Sequence, residues 1–346
     1  MMITIVNSLP EDRWRTFVDN HPEGNIFHTP EMFQVFKRVK GYHPEIWAAL
    51  GKDENILALV LPVRITLATG LLRALTTRTI IFGGLLVDKA PEGAEALAHL
   101  LKAYKERSNE GSLFTELRNI NSCEEYRPIL EEAQFKYEDH LNYLIDLGPS
   151  PEEVFSRIGH RTQRNIRHGL NQSKVTIQEV KDRSALAESY ALLKKTYRMA
   201  QVPLADRSLF EAAFDILVPK GMLLITTAMV GVSPAATSVD LLYKDTMVGW
   251  YGGMDRAYSS YVPNELLMWH VLRLGAERGY RVYDFGGAGK PSEEYGVRQF
   301  KAKFGGNLVC YGRNTWVPNP VLLSICKFGY ETLRQLRATT AELDRG

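Results

Sequence analysis

The sequence predicts a mixed α/β (α+β) protein built from two tandem copies of one unit, and three observations carry that expectation. The 346 residues exceed one average domain. The order of helices and strands, read from hydrophobic period, repeats between the halves without residue identity. Between them, Gly148-Pro149-Ser150-Pro151 interrupts any regular element and puts a boundary near residue 148.

In chain order, residues 2–6 read as a strand and Pro10–Val18 as a helix whose Pro-Glu-Asp start suits a helix N-terminus. A second helix begins after Thr29, its N-cap, with Pro30 as first helical residue, and runs to about Val39. β-rich stretches follow near 44–51, 54–66 and 77–82, then a helix over Glu92–Arg107 and a strand at Ser112–Leu117. Gln134–Leu147 reads as one long strand. The second half repeats the order: helices at 184–199 and 206–217, strands at 222–230, 235–243 and 247–253, a helix at 263–278 and a strand at 281–285. Val321–Leu336 has helical period and is expected to close onto the first domain. The expected domains are 1–148, joined by the C-terminal helix 318–346, and 149–317.

Composition is that of a globular protein, 45% hydrophobic and 24% charged. A formal charge of +2 implies no nucleic-acid partner without a local basic patch. The three cysteines lack a CxxC pair and histidines at metal-ligand spacing, so neither zinc nor a disulfide framework is expected. The N-terminus lacks a positive n-region, and apolar runs such as Ile56–Val63 end well short of the roughly 20 residues a membrane span needs. A cytoplasmic protein with no integral membrane segment is the expectation.

The chemistry concentrates between Trp250 and Gly306. There a strand ending WYGG, an amphipathic helix, a strand ending YDFGG and the segment GVRQFKAKFGG follow one another. Asp284 falls at a strand end beside Gly286 and Gly287, where it either caps the turn amides or orients a ligand. Lys301 and Lys303 alternate with Phe300 and Phe304, which share a face if the segment is helical. A lysine near a carbonyl stabilises the oxyanion of acyl transfer, commonly the largest catalytic term. His270, with no nucleophile nearby in sequence, reads as a packed histidine rather than a general base. A basic run opens the second half: Arg157, Arg161, Arg164 and His168 share one helical face with Arg167 at its edge, a surface suited to phosphates.

In this order the segments NIFHTP (25–30) with Lys37, HRTQRNIRHG (160–169), WYGG, YDFGG and GVRQFKAKFGG resemble those of the Fem-type aminoacyltransferases. These are tandem acetyltransferase-fold (GNAT) proteins that add amino acids to peptidoglycan precursors. The resemblance spans nearly the whole chain. It implies two GNAT-like domains, each a mostly antiparallel sheet flanked by helices, and a cytosolic acyltransferase with no tightly bound cofactor. By the same resemblance, aminoacyl-tRNA or a similar carrier is the donor and an amine of a cell-envelope precursor the acceptor. Lys301 after Phe300 would sit at the donor ester, Tyr251 and Lys37 at the acceptor, and Arg161, Arg164 and Arg167 at donor phosphates. An oriented ester and a free amine gain much of the rate from proximity, so no nucleophilic residue is required.

Two features depart from relatives. The long helical hairpin of some Fem proteins is absent, and SSYVPNE replaces the glycine-rich loop that cradles the CoA pyrophosphate at a helix N-terminus. Alternatives are an acyl-CoA-dependent N-acyltransferase acting on a small amine or polysaccharide sugar, and a non-catalytic glycopeptide-binding module.

Overall fold

A computed structural model describes residues 3–66, 73–108, 111–148, 150–294 and 296–326. The first half contains β1 (Thr4–Val6), α1 (Glu11–Asn20), α2 (Pro30–Arg38), β2 (Tyr42–Pro44), β3 (Trp47–Leu50), β4 (Ile56–Val60), β5 (Pro62–Thr66), α3 (Arg73–Thr76), β6 (Thr77–Phe82), β7 (Leu86–Val87), α4 (Gly93–Ser108), β8 (Thr115–Arg118), α5 (Arg127–Glu132), β9 (Lys136–Glu138) and β10 (Leu141–Asp146). The second contains α6 (Pro151–Ser156), α7 (His160–Gln172), β11 (Val175–Glu179), α8 (Arg183–Met199), α9 (Arg207–Leu217), β12 (Leu223–Val230), β13 (Ser233–Tyr243), β14 (Thr246–Met254), α10 (Pro263–Glu277), β15 (Val282–Gly287), α11 (Gly296–Ala302), β16 (Asn307–Cys310) and β17 (Arg313–Trp316).

Helix starts follow local chemistry. Thr29 accepts a hydrogen bond from the Met32 amide with Pro30 in the first turn of α2, as the sequence predicts. Asp182 caps α8 in the same way, through the amides of Ser184 and Ala185. Prolines mark breaks between strands. β2 ends at Pro44 and β5 begins at Pro62, so the meander of the first half divides into a four-stranded sheet, β1-β3-β4-β7, and a six-stranded sheet, β2-β5-β6-β8-β17-β9. The second half keeps its meander whole in a seven-stranded sheet, β11-β12-β13-β14-β15-β10-β16, which bends through bulges at Ala228/Met229 and Val239/Asp240. Among the described residues, each half has one parallel pair, and it precedes the exchanged strand: β6 with β8, and β14 with β15.

Sheet membership alters the expected organisation. The single strand expected over Gln134–Leu147 is two strands in different sheets: β9 stays with the first half, while β10 lies between β15 and β16 of the second. Reciprocally, β17 crosses back to lie between β8 and β9. The chain changes sheets at Asp139-His140 and again at Tyr311-Gly312. We therefore propose two interlocked lobes, one of 1–138 with 313–317 and one of 141–310, in place of a single cut near 148. Residues 320–326 are helical, and the remainder of the expected C-terminal helix, with its packing on the first domain, lies outside the described residues.

The cores join the lobes further. One apolar cluster contains Met32, Phe36, Val63 and Ile80 from the first half together with Phe210, Leu217 and Val239 from the second. Each such burial is worth roughly 1.5–3 kcal/mol, so this interface contributes as a core does. Polar ties support it: the Lys244 ammonium caps the C-terminus of α1 through the carbonyls of Val18 and His21, both at 2.8 Å, and Lys220 meets the buried Glu31 at 2.6 Å.

Candidate active site

The parallel pair β14–β15 sets the geometry. Its register runs Thr246↔Val282, Met247↔Tyr283 and Val248↔Asp284 and stops there. β14 continues to Met254 beside β13, whereas β15 continues to Gly287 beside β10, so the two strands part beyond Val248 and Asp284. A parting between parallel strands leaves main-chain groups free for a ligand.

Asp284 stands at that point. It is buried, accepts a 2.7 Å bond from the Gly286 amide and is approached by Asn142 Nδ2 at 3.3 and 3.4 Å. Burial pushes its carboxyl up to about 6, against the opposing pull of the Gly286 amide, Lys301 and Asn142. Asn142 comes from the exchanged strand β10, and nothing in the linear sequence joins these two residues.

Lys301 lies on α11 and is buried. Its ammonium donates to the carbonyls of Phe285 (2.6 Å), Gly286 (3.2 Å) and Gly287 (2.7 Å). Three donors meet three acceptors, which commits the ammonium to main chain rather than to the donor ester the resemblance implied. Burial holds its pKa down at about 8, with Asp284 opposing. One turn earlier, Arg298 donates to the carbonyls of Ala288, Lys290 and Pro291. Two cations on one short helix thus gather six carbonyls of residues 285–291 and fix the end of β15. Sequence reasoning missed Arg298, although its place three residues before Lys301 was visible.

Of the other expected residues, Phe300 packs edge-on against Phe304 at 5.2 Å and leans on the second-half core. Lys303 is exposed and pairs with Glu265 at 3.4 Å. His270 is half-buried on α10, its pKa lowered by burial and by Arg273, and makes no hydrogen bond among the described residues. Tyr251 joins an aromatic group at the lobe interface, with ring centroids 4.8 Å from Phe210, 5.2 Å from Trp250 and 5.9 Å from Tyr197. Desolvation raises its hydroxyl pKa well above the ordinary value, with Tyr42 adding to the rise and Arg118 opposing it. Lys37 is exposed on α2, whose Phe36 and Val39 share the apolar cluster that Tyr251 packs against.

Opposite stands one face of the six-stranded sheet. By register, Arg78, Glu116, Arg118 and Arg313 point to the same side as Tyr42. Glu116 accepts from Arg118 at 2.7 Å and from Arg313 at 3.3 Å, and Arg118 lies over the Phe82 ring at 5.5 Å. Arg78 Nε is buried without a partner. These three guanidiniums lie on one face, with Glu116 bonded to two of them and Glu138 opposite Arg313 in the register. His140, at the first crossing, spans the two walls. A Cβ on Gly287 would lie 2.8 Å from its ring, so only glycine fits there, and burial keeps the imidazole neutral with a pKa of about 4.

On α7, Arg161 and Arg164 are exposed with no ion pair among the described residues. Arg167 leans over the Phe155 ring at 5.1 Å and donates to Gln163, while Arg157 pairs with Asp146. At the start of α10, Val262 is left-handed, Pro263 occupies the first turn and a 3-10 helix fills Arg256–Tyr261. Pro263 offers no amide there, and Glu265 brings a negative charge to the first turn. Among the described residues no cluster of histidine, cysteine or acidic groups could hold a metal, and no helix is long and apolar enough to cross a membrane.

Residues 157–301 match the family model described as an acetyltransferase (GNAT) domain. No curated protein matches the sequence. Among solved structures, the crystal structure of FemX is similar over 94% of this chain and 99% of its own, at 16% identity and a TM-score of 0.71. A tandem GNAT protein from the clavulanic acid biosynthesis pathway is similar over 92% and 99% of the two chains, at 9% identity and a TM-score of 0.58. The C-terminal domain of a putative lysylphosphatidylglycerol synthetase from Agrobacterium fabrum is similar over 91% and 93%, at 12% identity and a TM-score of 0.57. The domain match and the shared architecture support an acyltransferase. By fold, the chain is a tandem acetyltransferase-like (GNAT) protein similar to FemX, and residues 157–301 match the acetyltransferase domain.

Proposed function

We propose that the protein transfers an activated acyl group, in the Fem manner an aminoacyl group carried by tRNA, to an amine of a cell-envelope precursor. The observation that carries this reading is the parting of β14 and β15 at Val248/Asp284, opposite the arginine-bearing sheet of the other lobe. The donor carbonyl enters between the strands, and the acceptor amine arrives from the lobe interface past Tyr251 and Lys37. Attack of the amine on the ester carbon forms the tetrahedral intermediate. Asp284, poised near neutrality, is the group we assign to take the amine proton and pass it to the ester oxygen as the C–O bond breaks, which releases the carrier hydroxyl and restores the carboxylate. Lys301 and Arg298 act as positioning residues that keep the end of β15 in place.

The donor is assigned from α7 and α10. Arg161, Arg164 and Arg167 offer a basic surface, while the N-terminus of α10 lacks the glycine-rich cradle for a pyrophosphate. Filter retention of radiolabelled aminoacyl-tRNA tests this. Replacing Arg161 and Arg164 by glutamine should weaken retention and lower the salt slope by about 2, close to one unit per lost phosphate contact. An unchanged slope removes tRNA from the proposal. A second reading, transfer from acyl-CoA, is favoured by the GNAT domain match. Under it, CoA rather than tRNA should protect the protein against thermal unfolding.

A further inference from the structure

We propose that the first half carries a second ligand site, a pocket for a small carboxylate with an apolar body, at the break in its meander. This site is independent of the acyl-transfer reading. Where β2 gives way to β3 and β4 to β5, the two sheets of the first half diverge, and a cavity of about 430 Å³ opens between them. That volume lies within the usual range for small-molecule sites. The second half has no matching break, because β12, β13 and β14 run on through bulges.

The lining has an apolar body, the Glu45 carboxylate, and two guanidiniums, Arg64 and Arg107, with no ion pair among the described residues. Phe33, Trp47 and Tyr104 supply the aromatic surface, and Trp47 is held by its indole N–H bond to Glu45 at 3.1 Å. Arg64 projects from β5 into the cavity. Its Nε is buried without a hydrogen-bond partner, and its guanidinium has no ion pair among the described residues. A buried donor left unmet costs free energy that an incoming anion would recover. Arg107 stands at the rim, 5.7 Å over the Trp47 ring, and donates to Asn7.

The chemistry favours a carboxylate over a phosphate. The hydroxyls beside Arg64 have already spent their hydrogens, Thr79 on Ser112 at 3.1 Å and Ser112 on the Phe114 carbonyl at 2.9 Å. One planar guanidinium fork therefore supplies the deep donors, which matches a singly charged, planar group, and the aromatic wall takes the rest of the molecule.

The test uses the full-length protein titrated with acetate, butyrate, phenylacetate and L-phenylalanine, with phenylacetamide as the neutral control. Thermal unfolding and tryptophan fluorescence are followed. At least one of butyrate, phenylacetate and L-phenylalanine should raise Tm saturably and change the fluorescence, while acetate and phenylacetamide bind about tenfold more weakly or not at all. Arg64→Met keeps the apolar stem and should weaken the binding by about tenfold or more. The proposal is overturned if no carboxylate gives a saturable shift, or if Arg64→Met binds as the parent does. Should that variant fail to melt cooperatively, Trp47→Phe decides: it must abolish the fluorescence response and keep the thermal shift, and an unchanged fluorescence response overturns the site.

Discussion

The two halves end their parallel strands in opposite ways. Each exchanged strand delivers a buried asparagine to such an end: Asn142 of β10 meets the Asp284 carboxylate, and Asn314 of β17 meets the amide of Asn119 at 2.9 Å. In the second half the strands part beyond Val248 and Asp284, beside the buried Asp284 and Lys301. In the first, β6 and β8 stay in register to Phe82/Arg118, and the loop before α2 fills the space beyond. Asn25 donates to the Gly83 carbonyl at 3.1 Å, and His28 Nε2 lies 3.3 Å from that of Gly84. Gly83 is left-handed, and a Cβ there would lie 2.4 Å from the Asn25 side chain, so glycine is required for the plug to close. One fold copied twice has thus let the parallel strands part in one copy and packed the matching strand ends in the other. The NIFHTP segment, one of the motifs of the resemblance, forms that plug, with His28 fully buried.

The largest expected effect concerns the exchange itself. Fragments 1–148 and 149–346, expressed separately, should each lack cooperative unfolding by circular dichroism, and mixing or co-expression should restore it. Each fragment holds a strand that completes the other's sheet and leaves its own with unpaired edges. A fragment that melts cooperatively alone would show that the halves are separable after all.

Next comes the clamp on β15, which has no counterpart built on cations at the end of β8 among the described residues. Lys301→Met should lower kcat by about 100-fold, the cost of misplacing reacting groups by about 1 Å, while donor KM changes little. A loss confined to KM would assign Lys301 to binding instead.

The smallest effect separates the halves by pH. Burial lowers His28 to a pKa of about 3, so protonating it opposes folding. Its stabilisation is complete above about pH 6.5 and is lost as pH falls toward 3, at a slope approaching about 1.4 kcal/mol per pH unit. Asp240 and Asp284, both raised to about 6, have the opposite sign: their contribution is complete below about 3.8 and is lost as pH rises through 6. His28→Gln should therefore flatten the acid limb of denaturant-measured stability relative to the parent. Equal acid limbs would mean that the plug does not sense protons.

Much of this was legible in the chain. The α2 start at Thr29-Pro30 was readable because capping is decided by adjacent residues, and the repeated element order was readable because hydrophobic period survives divergence of side chains. Asp284 was placed at a strand end by the same local logic, and Lys301 was set beside Phe300 in a segment whose helical state was left conditional. The strand exchange was not readable, since β9 and β10 are separated only by Asp139-His140 and form one continuous β pattern. Nor were Asn142, His140 and the face bearing Arg78, Arg118 and Arg313, which are brought together by sheet register rather than by spacing along the chain.

The sequence by itself determined the longer helices and strands, their tandem order and residues such as Thr29 and Asp284 at their ends, because backbone preference, capping and amphipathic period act over a few neighbours. Only the tertiary structure decided in which copy the parallel strands part, what Lys301 holds and which lobe each strand completes. Those outcomes depend on where buried donors and acceptors find partners, and the partners lie more than a hundred residues apart, as Asn142 and Asp284 do.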